Sequence, residues 1–129
     1  MWVPPGCVEL TPQQEGDVTA TLRRLCGPRA DLVLECFAVF EEHFPRAEPV
    51  HYLSLLATAD RHRGRGLGMG LLRADLAALD RAGAPAYLES TNPANLRRYE
   101  GAGFRHYGSF ALPGGGPLVT QMWREPGAR

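Results

Sequence analysis

The sequence predicts a single α/β domain built on a mixed sheet. Three observations predict it. From residue 50 the apolar periodicities read as strand, helix, strand, helix and hairpin. The first strand–helix–strand is a crossover unit whose strands are parallel and adjacent, whereas the hairpin adds antiparallel pairs. The length, 129 residues, fits one domain.

Residues 1–6 read as the end of a strand meeting a Pro4-Pro5-Gly6 turn. Thr11-Pro12-Gln13-Gln14 is a helix start, with threonine as cap, proline at the first helical position and Gln14 completing a capping box. That helix runs to about Cys26 and stops at Gly27-Pro28. A second helix over residues 29–44 sets Leu32, Val33, Cys36, Phe37 and Phe40 on one stripe, and Pro45 ends it. Residues 1–49 thus form a helical segment ahead of a core over residues 50–129. Residues 50–58 read as a strand that is apolar on both faces, which wants cover on both sides and a neighbour at each edge. A helix follows with Leu67, Leu71, Leu72, Leu76 and Leu79 at helical spacing, closed by Gly83 and Pro85. Residues 84–90 form a short strand, and Asn92-Pro93 opens a short helix ending near residues 101–103. Residues 104–112 and 118–124 are two strands around a glycine-rich turn.

Composition narrows the chemistry. Fourteen basic residues balance fourteen acidic ones, so no excess positive field points to nucleic acid or to a membrane surface. Every one of those basic residues is arginine, which excludes a Schiff-base lysine and a P-loop lysine. Cys7, Cys26 and Cys36 make an odd count without metal-ligand spacing. Cys36, in an apolar run, reads as a reduced core residue, and a cytoplasmic location is expected. No apolar stretch reaches membrane-spanning length, and no signal-peptide pattern opens the chain.

The stretch at residues 61–70 carries the chemistry. A helix's first turn leaves N–H groups unpaired and partly positive, which makes an anion site. Glycines let a phosphate approach those groups, and arginines at the rim add charge-assisted hydrogen bonds. Arg63-Gly64-Arg65-Gly66-Leu67-Gly68 sits at such a helix start. A Walker loop is excluded for want of its lysine, and the dinucleotide pattern fails because its third glycine falls on Met69 or Leu71. R-x-x-G-x-G remains. Taken alone it fits a diphosphate cradle and a merely flexible turn equally well.

With the downstream residues added, residues 51–104 resemble the GCN5-related N-acetyltransferase (GNAT) family. The resemblance rests on Arg63–Gly68 opening an amphipathic helix, on the strand Tyr87-Leu88-Glu89-Ser90, and on Asn95-x-x-x-Tyr99-x-x-x-Gly103-Phe104. It implies an acyl-coenzyme A N-acyltransferase fold that binds acetyl-coenzyme A as co-substrate. It implies that Arg63, Gly64, Arg65, Gly66, Leu67 and Gly68 hold the pyrophosphate. Leu56, Ala57 and Thr58 would pair through their main chain with the pantetheine arm as though it were another strand. Asn95 would hydrogen-bond the same arm. Tyr99, one turn further on the same helix face, would protonate the departing thiolate; alternatively its ring simply packs with Leu96 and Phe104. The acceptor would be an amine on a small molecule, peptide or antibiotic. No base is evident: histone-type relatives carry a glutamate on the strand before the loop, and this strand has none. Glu89 and His51 are the nearest candidates, each of which also reads as structural or solvent-facing; His62 reads as a rim residue of the phosphate loop, and Glu41, Glu42 and His43 as a solvated cluster.

The chain departs from the family at its N-terminus. The strand and helices that usually precede residue 50 have no room here; Trp2-Val3 would be the end of a missing third strand, and the two helices an insertion after it. An apolar strand with an uncovered edge invites pairing. Several outcomes stay open: the helices fold over that edge, the chain forms a homodimer through it, the chain is poorly soluble, or a longer protein supplies the missing elements. Functionally the leading expectation is acetyl transfer. A coenzyme A-binding module without turnover is the alternative, and a helical interaction protein with an incidental loop the third.

Overall fold

The computed structural model describes residues 1–129. Five strands and four helices follow in the order β1 (Trp2–Val3), α1 (Pro12–Cys26), α2 (Ala30–His43), β2 (His51–Leu53), α3 (Leu67–Arg81), β3 (Ala86–Ser90), α4 (Pro93–Glu100), β4 (Arg105–Ala111) and β5 (Leu118–Arg124). The expected capping box opens α1: Thr11 accepts from the Gln14 N–H, and Gln14 Oε1 accepts from the Thr11 N–H at 2.8 Å. The strands form one sheet in the order β1-β2-β3-β5-β4. Only β2 and β3 are parallel, joined through α3; every other pair is antiparallel. The sheet is therefore mixed, as predicted. No helix is long and apolar enough to cross a membrane.

Strand alternation divides the sheet into two unlike faces. The row Trp2–Leu53–Leu88–Met122 lies on one face. There it meets Leu72 and Leu76 of α3, with Ala102 and Phe104, in a single hydrophobic cluster. Leu72 and Leu76 fall on one helix stripe and are essentially solvent-free. Trp2 is fixed to the same helix by a 2.9 Å bond from its indole N–H to Asp75. The next row, Tyr52–Tyr87–Trp123, faces the other way. It is covered by the end of α2, where Phe44 packs edge-on against Tyr52 and Tyr87 at 5.3 and 5.5 Å, and Phe40 against Phe110 at 5.4 Å.

Three expectations are corrected. The strand over residues 50–58 shrinks to His51–Leu53; Leu55 is 57% exposed, so this segment is not covered on both faces. The helices do not fold over the edge of β2. Trp2 and Val3 pair with that edge, and α2 lies across a face of the sheet. Cys36 is half-buried rather than core, and Leu32 and Phe37 of the same stripe are exposed. The physical reason is that α2 touches the sheet chiefly through its last turn, where Phe40 and the following Phe44 point inward.

An ion pair between a buried arginine and a half-buried aspartate closes the far end of the sheet. Arg124, 5% exposed, forks onto both carboxylate oxygens of Asp80 at 2.5 and 2.9 Å. Its remaining N–H groups donate to the carbonyls of Ala102 and Ala128. The Arg124 hydrogen bonds and the Gly127 N–H hold the Asp80 carboxyl down from 3.8 to about 2. Asp80→Asn leaves a buried guanidinium without its counter-charge, and urea denaturation is expected to show a loss of about 3 kcal/mol. Because the folded-state value is depressed, this stabilisation is full above the ordinary carboxylate range. It is lost as pH falls through about 4 toward 2, so the wild-type protein loses stability in that window while Asp80→Asn stays nearly flat.

Candidate functional site

The α3 helix begins at Leu67, capped by Gly66 in the left-handed region at φ +72°. A side chain there would be strained, which is why glycine is required. The first helical bond runs from the Gly70 N–H to the Gly66 carbonyl at 2.8 Å. The N–H groups of Leu67, Gly68 and Met69 therefore have no partner within the helix. Open space surrounds the positions where Gly64 and Gly66 would carry a Cβ. Gly68 instead lies against Thr58, whose Oγ1 would sit 3.0 Å from an added Cβ. The loop and the segment before it thus press together without filling the cradle.

Cations crowd the rim. Arg61 Nε and Arg65 NH1 approach the two ring nitrogens of His62 at 3.0 and 3.2 Å. A neutral imidazole offers only one acceptor nitrogen, so these contacts cannot both be hydrogen bonds. Arg63 pairs with Asp60 at 3.1 Å, but both side chains are largely exposed and the pair is weak. Three arginines against one aspartate leave a net positive rim, which an anion would relieve.

Residues 54–58 leave the sheet, and the last three of them form a free main-chain ledge. β2 and β3 share the pairs His51–Ala86, Tyr52–Tyr87 and Leu53–Leu88, and then part. The N–H groups of Ser54 and Leu55 turn outward to the Met1 carbonyl at 3.2 and 3.4 Å, and the Met1 ammonium holds the Leu55 carbonyl. The main-chain groups of Leu56, Ala57 and Thr58 make no backbone hydrogen bond. Their donors and acceptors are unspent on other main chain.

The α4 helix brings up the remaining residues. Asn92 caps it, accepting from the Ala94 N–H at 3.0 Å. Asn95 Oδ1 accepts from Arg98 at 3.1 Å, which leaves its amide N–H groups free to donate. Tyr99 is half-buried, with its ring 6.1 Å from Phe104 and edge-on to it. Burial pushes its phenol above the usual range, against a smaller opposing pull from Arg98, so it keeps its proton at neutral pH. The ring packs against Phe104, as one sequence reading expects, and the hydroxyl makes no hydrogen bond within the chain.

The sheet's α2 face carries a polar network. Tyr52 and Tyr87 donate their phenolic protons to the two oxygens of Glu89 at 2.9 and 2.7 Å. Gln121 donates to the Tyr87 hydroxyl at 2.9 Å and to the His43 carbonyl at 2.8 Å. Burial raises the Glu89 carboxyl above the usual range, opposed by the two phenols. Burial and the neighbouring carboxylate raise both phenols as well. Sequence reading missed Tyr52, Tyr87 and Gln121. The alternation of Tyr87 and Glu89 was a legible sign of a shared face, but their partners lie on other strands. Two clefts of about 410 and 580 Å³ lie around His51, Pro49 and Tyr52; no residue of the arginine–glycine loop lines either of them.

A family model described as acetyltransferase (GNAT) family matches residues 6–104. Among solved structures, one from Corynebacterium glutamicum described as histone acetyltransferase HPA2 and related acetyltransferase is 29% identical, with a TM-score of 0.60 over 67% of this chain and 47% of that one. A candidate acetyltransferase from Agrobacterium tumefaciens is 30% identical, with a TM-score of 0.52 over 58% of this chain and 56% of that one. The ribosomal-protein-S18-alanine N-acetyltransferase of Escherichia coli, 22% identical, shares the fold at a TM-score of 0.54 over 61% of this chain and 56% of that one. The chain spans about half the length of these relatives.

Gly108 tests the polar network. A Cβ there would lie 2.6 Å from Gln121 Oε1. Gly108→Ala is expected to push the amide off Tyr87 and His43 and cost about 1–2 kcal/mol in a denaturant titration, the usual penalty for an unsatisfied buried polar group. A wild-type midpoint would show that the network is not held from this side.

Proposed function

Since the chain belongs to the GNAT family of acetyltransferases, we propose that it transfers the acetyl group of acetyl-coenzyme A to an amine. The observation that carries this reading is the combination of an unfilled helix start at Gly66–Met69 with a free main-chain ledge at Leu56–Thr58. Both ask for one extended ligand with a diphosphate at one end and amide-bearing chain along its length. Arg63, Gly64, Arg65, Gly66, Leu67 and Gly68 would hold the diphosphate through N–H groups and guanidinium charge. Leu56, Ala57 and Thr58 would pair with the pantetheine amides, and Asn95 would donate to the same arm. Bound there, the co-substrate supplies an activated thioester. Tyr99 would give its proton to the sulfur as the carbon–sulfur bond breaks. A thiol with an ordinary pKa of about 8.5 leaves readily, so this acid assists more than it enables. Transfer is direct between two bound substrates. The acceptor is a small molecule or a peptide bearing an amine, and the protein works in the cytoplasm.

The span of about half the relatives' length favours one second reading, a module that holds coenzyme A without turnover. Two measurements decide. Acetyl-coenzyme A at a hundredfold excess over its Kd is expected to add about 2.7 kcal/mol of apparent stability; an unchanged melting temperature argues against both readings. Thiol release in the presence of amines then separates enzyme from binder. Gly66→Val strains the loop by about 1–2 kcal/mol and puts a side chain over the cradle, so binding is expected to fall at least tenfold. Tyr99→Phe is expected to slow turnover roughly a hundredfold, the low end of what a positioned acid contributes, with cofactor affinity unchanged. Full-rate turnover in that variant removes the acid role.

A further inference from the structure

Resting on the acetyltransferase reading, we propose that Glu89 takes the proton from the acceptor amine, with Tyr52 and Tyr87 as its positioning residues. Glu89 is the first residue of β3 beyond its last pair with β2. Its carboxylate therefore stands just past the point where the two strands part, on the face of Tyr52 and Tyr87. The two phenols each occupy one lone pair, one per oxygen, and each oxygen keeps another for an incoming N–H.

The molecule contains its own control for a purely structural role. Asp80, which ties the C-terminal turn to α3, is matched by a forked arginine. Glu89 has no such partner. Neutral phenols hold it, and no arginine pairs with it. The other groups bearing on this network are His43 and Glu41 from α2, of opposite effect on Glu89, and Glu9 ahead of α1, which acts on Tyr52. Gln121 of β5 is neutral and binds only the Tyr87 hydroxyl and the His43 carbonyl. The result is a carboxylate with unspent acceptor capacity and no counter-ion, which an ammonium group complements in both charge and hydrogen bonding. Burial raises its carboxyl above the ordinary glutamate range, against the pull of the two phenols, which makes it a stronger proton acceptor than an exposed glutamate.

The proton balance closes. The ammonium gives Glu89 its first proton, which passes to solvent, and the neutral amine attacks the thioester carbon. As the carbon–nitrogen bond forms and the carbon–sulfur bond breaks, the second nitrogen proton goes to Glu89 and the sulfur takes the Tyr99 proton. Water returns the Glu89 proton to the Tyr99 phenolate. One turnover releases one proton, one amide and one free thiol.

The test uses the full chain, acetyl-coenzyme A and a panel holding an alkylamine, a polyamine, an aminoglycoside and a peptide with a free α-amino group. Glu89→Gln is expected to bind acetyl-coenzyme A with wild-type affinity by calorimetry. Its thiol release is expected to fall on the order of a hundredfold or more, and the acid limb of its rate profile to vanish. Tyr52→Phe and Tyr87→Phe each remove a donor that stabilises the carboxylate, so their acid limbs are expected to move to higher pH with the KM for acetyl-coenzyme A unchanged. These phenylalanine variants keep their rings and report even if Glu89→Gln fails to fold. Carbon-13 titration of the Glu89 carboxyl needs no acceptor. A midpoint at or below the ordinary glutamate range, or one that neither phenylalanine variant moves, overturns the proposal. Wild-type turnover with an intact acid limb in Glu89→Gln overturns it too, while leaving the acetyltransferase reading standing. A wild-type chain that does not bind acetyl-coenzyme A, or binds it and releases no thiol with any amine, overturns both.

Discussion

Two parallel strands that stay together for three residue pairs and then separate set the terms for the rest of this molecule. Main chain that leaves a ladder must find other partners or stay in contact with solvent. Here the outer side of the departing segment is held by Met1, whose carbonyl takes the N–H groups of Ser54 and Leu55. The next three residues are left without main-chain partners. The departing segment leads to the start of α3, where Thr58 lies against Gly68. Ledge, helix start and the Glu89 carboxylate all owe their positions to that separation.

The two faces of the sheet contribute differently. The α3 face is a hydrocarbon cluster around Leu72, Leu76, Leu88, Phe104 and Met122, closed at one end by the Arg124–Asp80 pair. It supplies rigidity through burial, and through a charge pair that is costly to break. The α2 face is aromatic and hydrogen-bonded, running from Phe44 through Tyr52 and Tyr87 to Trp123, with Tyr107 stacked on Trp123 at 5.7 Å. Gln121 knits that face to the end of α2 through the His43 carbonyl.

Local chemistry was legible in the sequence. Thr11 and Gln14 announced the capping box, Asn92-Pro93 the start of α4, and Arg63–Gly68 a helix start that structure places one residue after Gly66. The hairpin was legible from its glycine-rich turn. The end of β2 was not, because an apolar run such as residues 53–57 looks the same whether it pairs or departs. The inward turn of α2 was hidden for a similar reason: its stripe is wide, and only the aromatic rings of β2 and β3 decide which part of it is covered. Contacts between distant residues left no trace at all. Arg124 and Asp80 are 44 positions apart, and the Gln121–Tyr87 bond spans 34.

Strand alternation has an evolutionary consequence. Successive residues of β3, such as Tyr87 and Leu88, belong to opposite surfaces that share a backbone but few side-chain contacts. Drift on the aromatic surface can reshape what approaches Glu89 with little effect on the hydrocarbon layer beneath α3. A lineage built on this sheet can therefore vary its aromatic surface while inheriting its folding stability nearly unchanged.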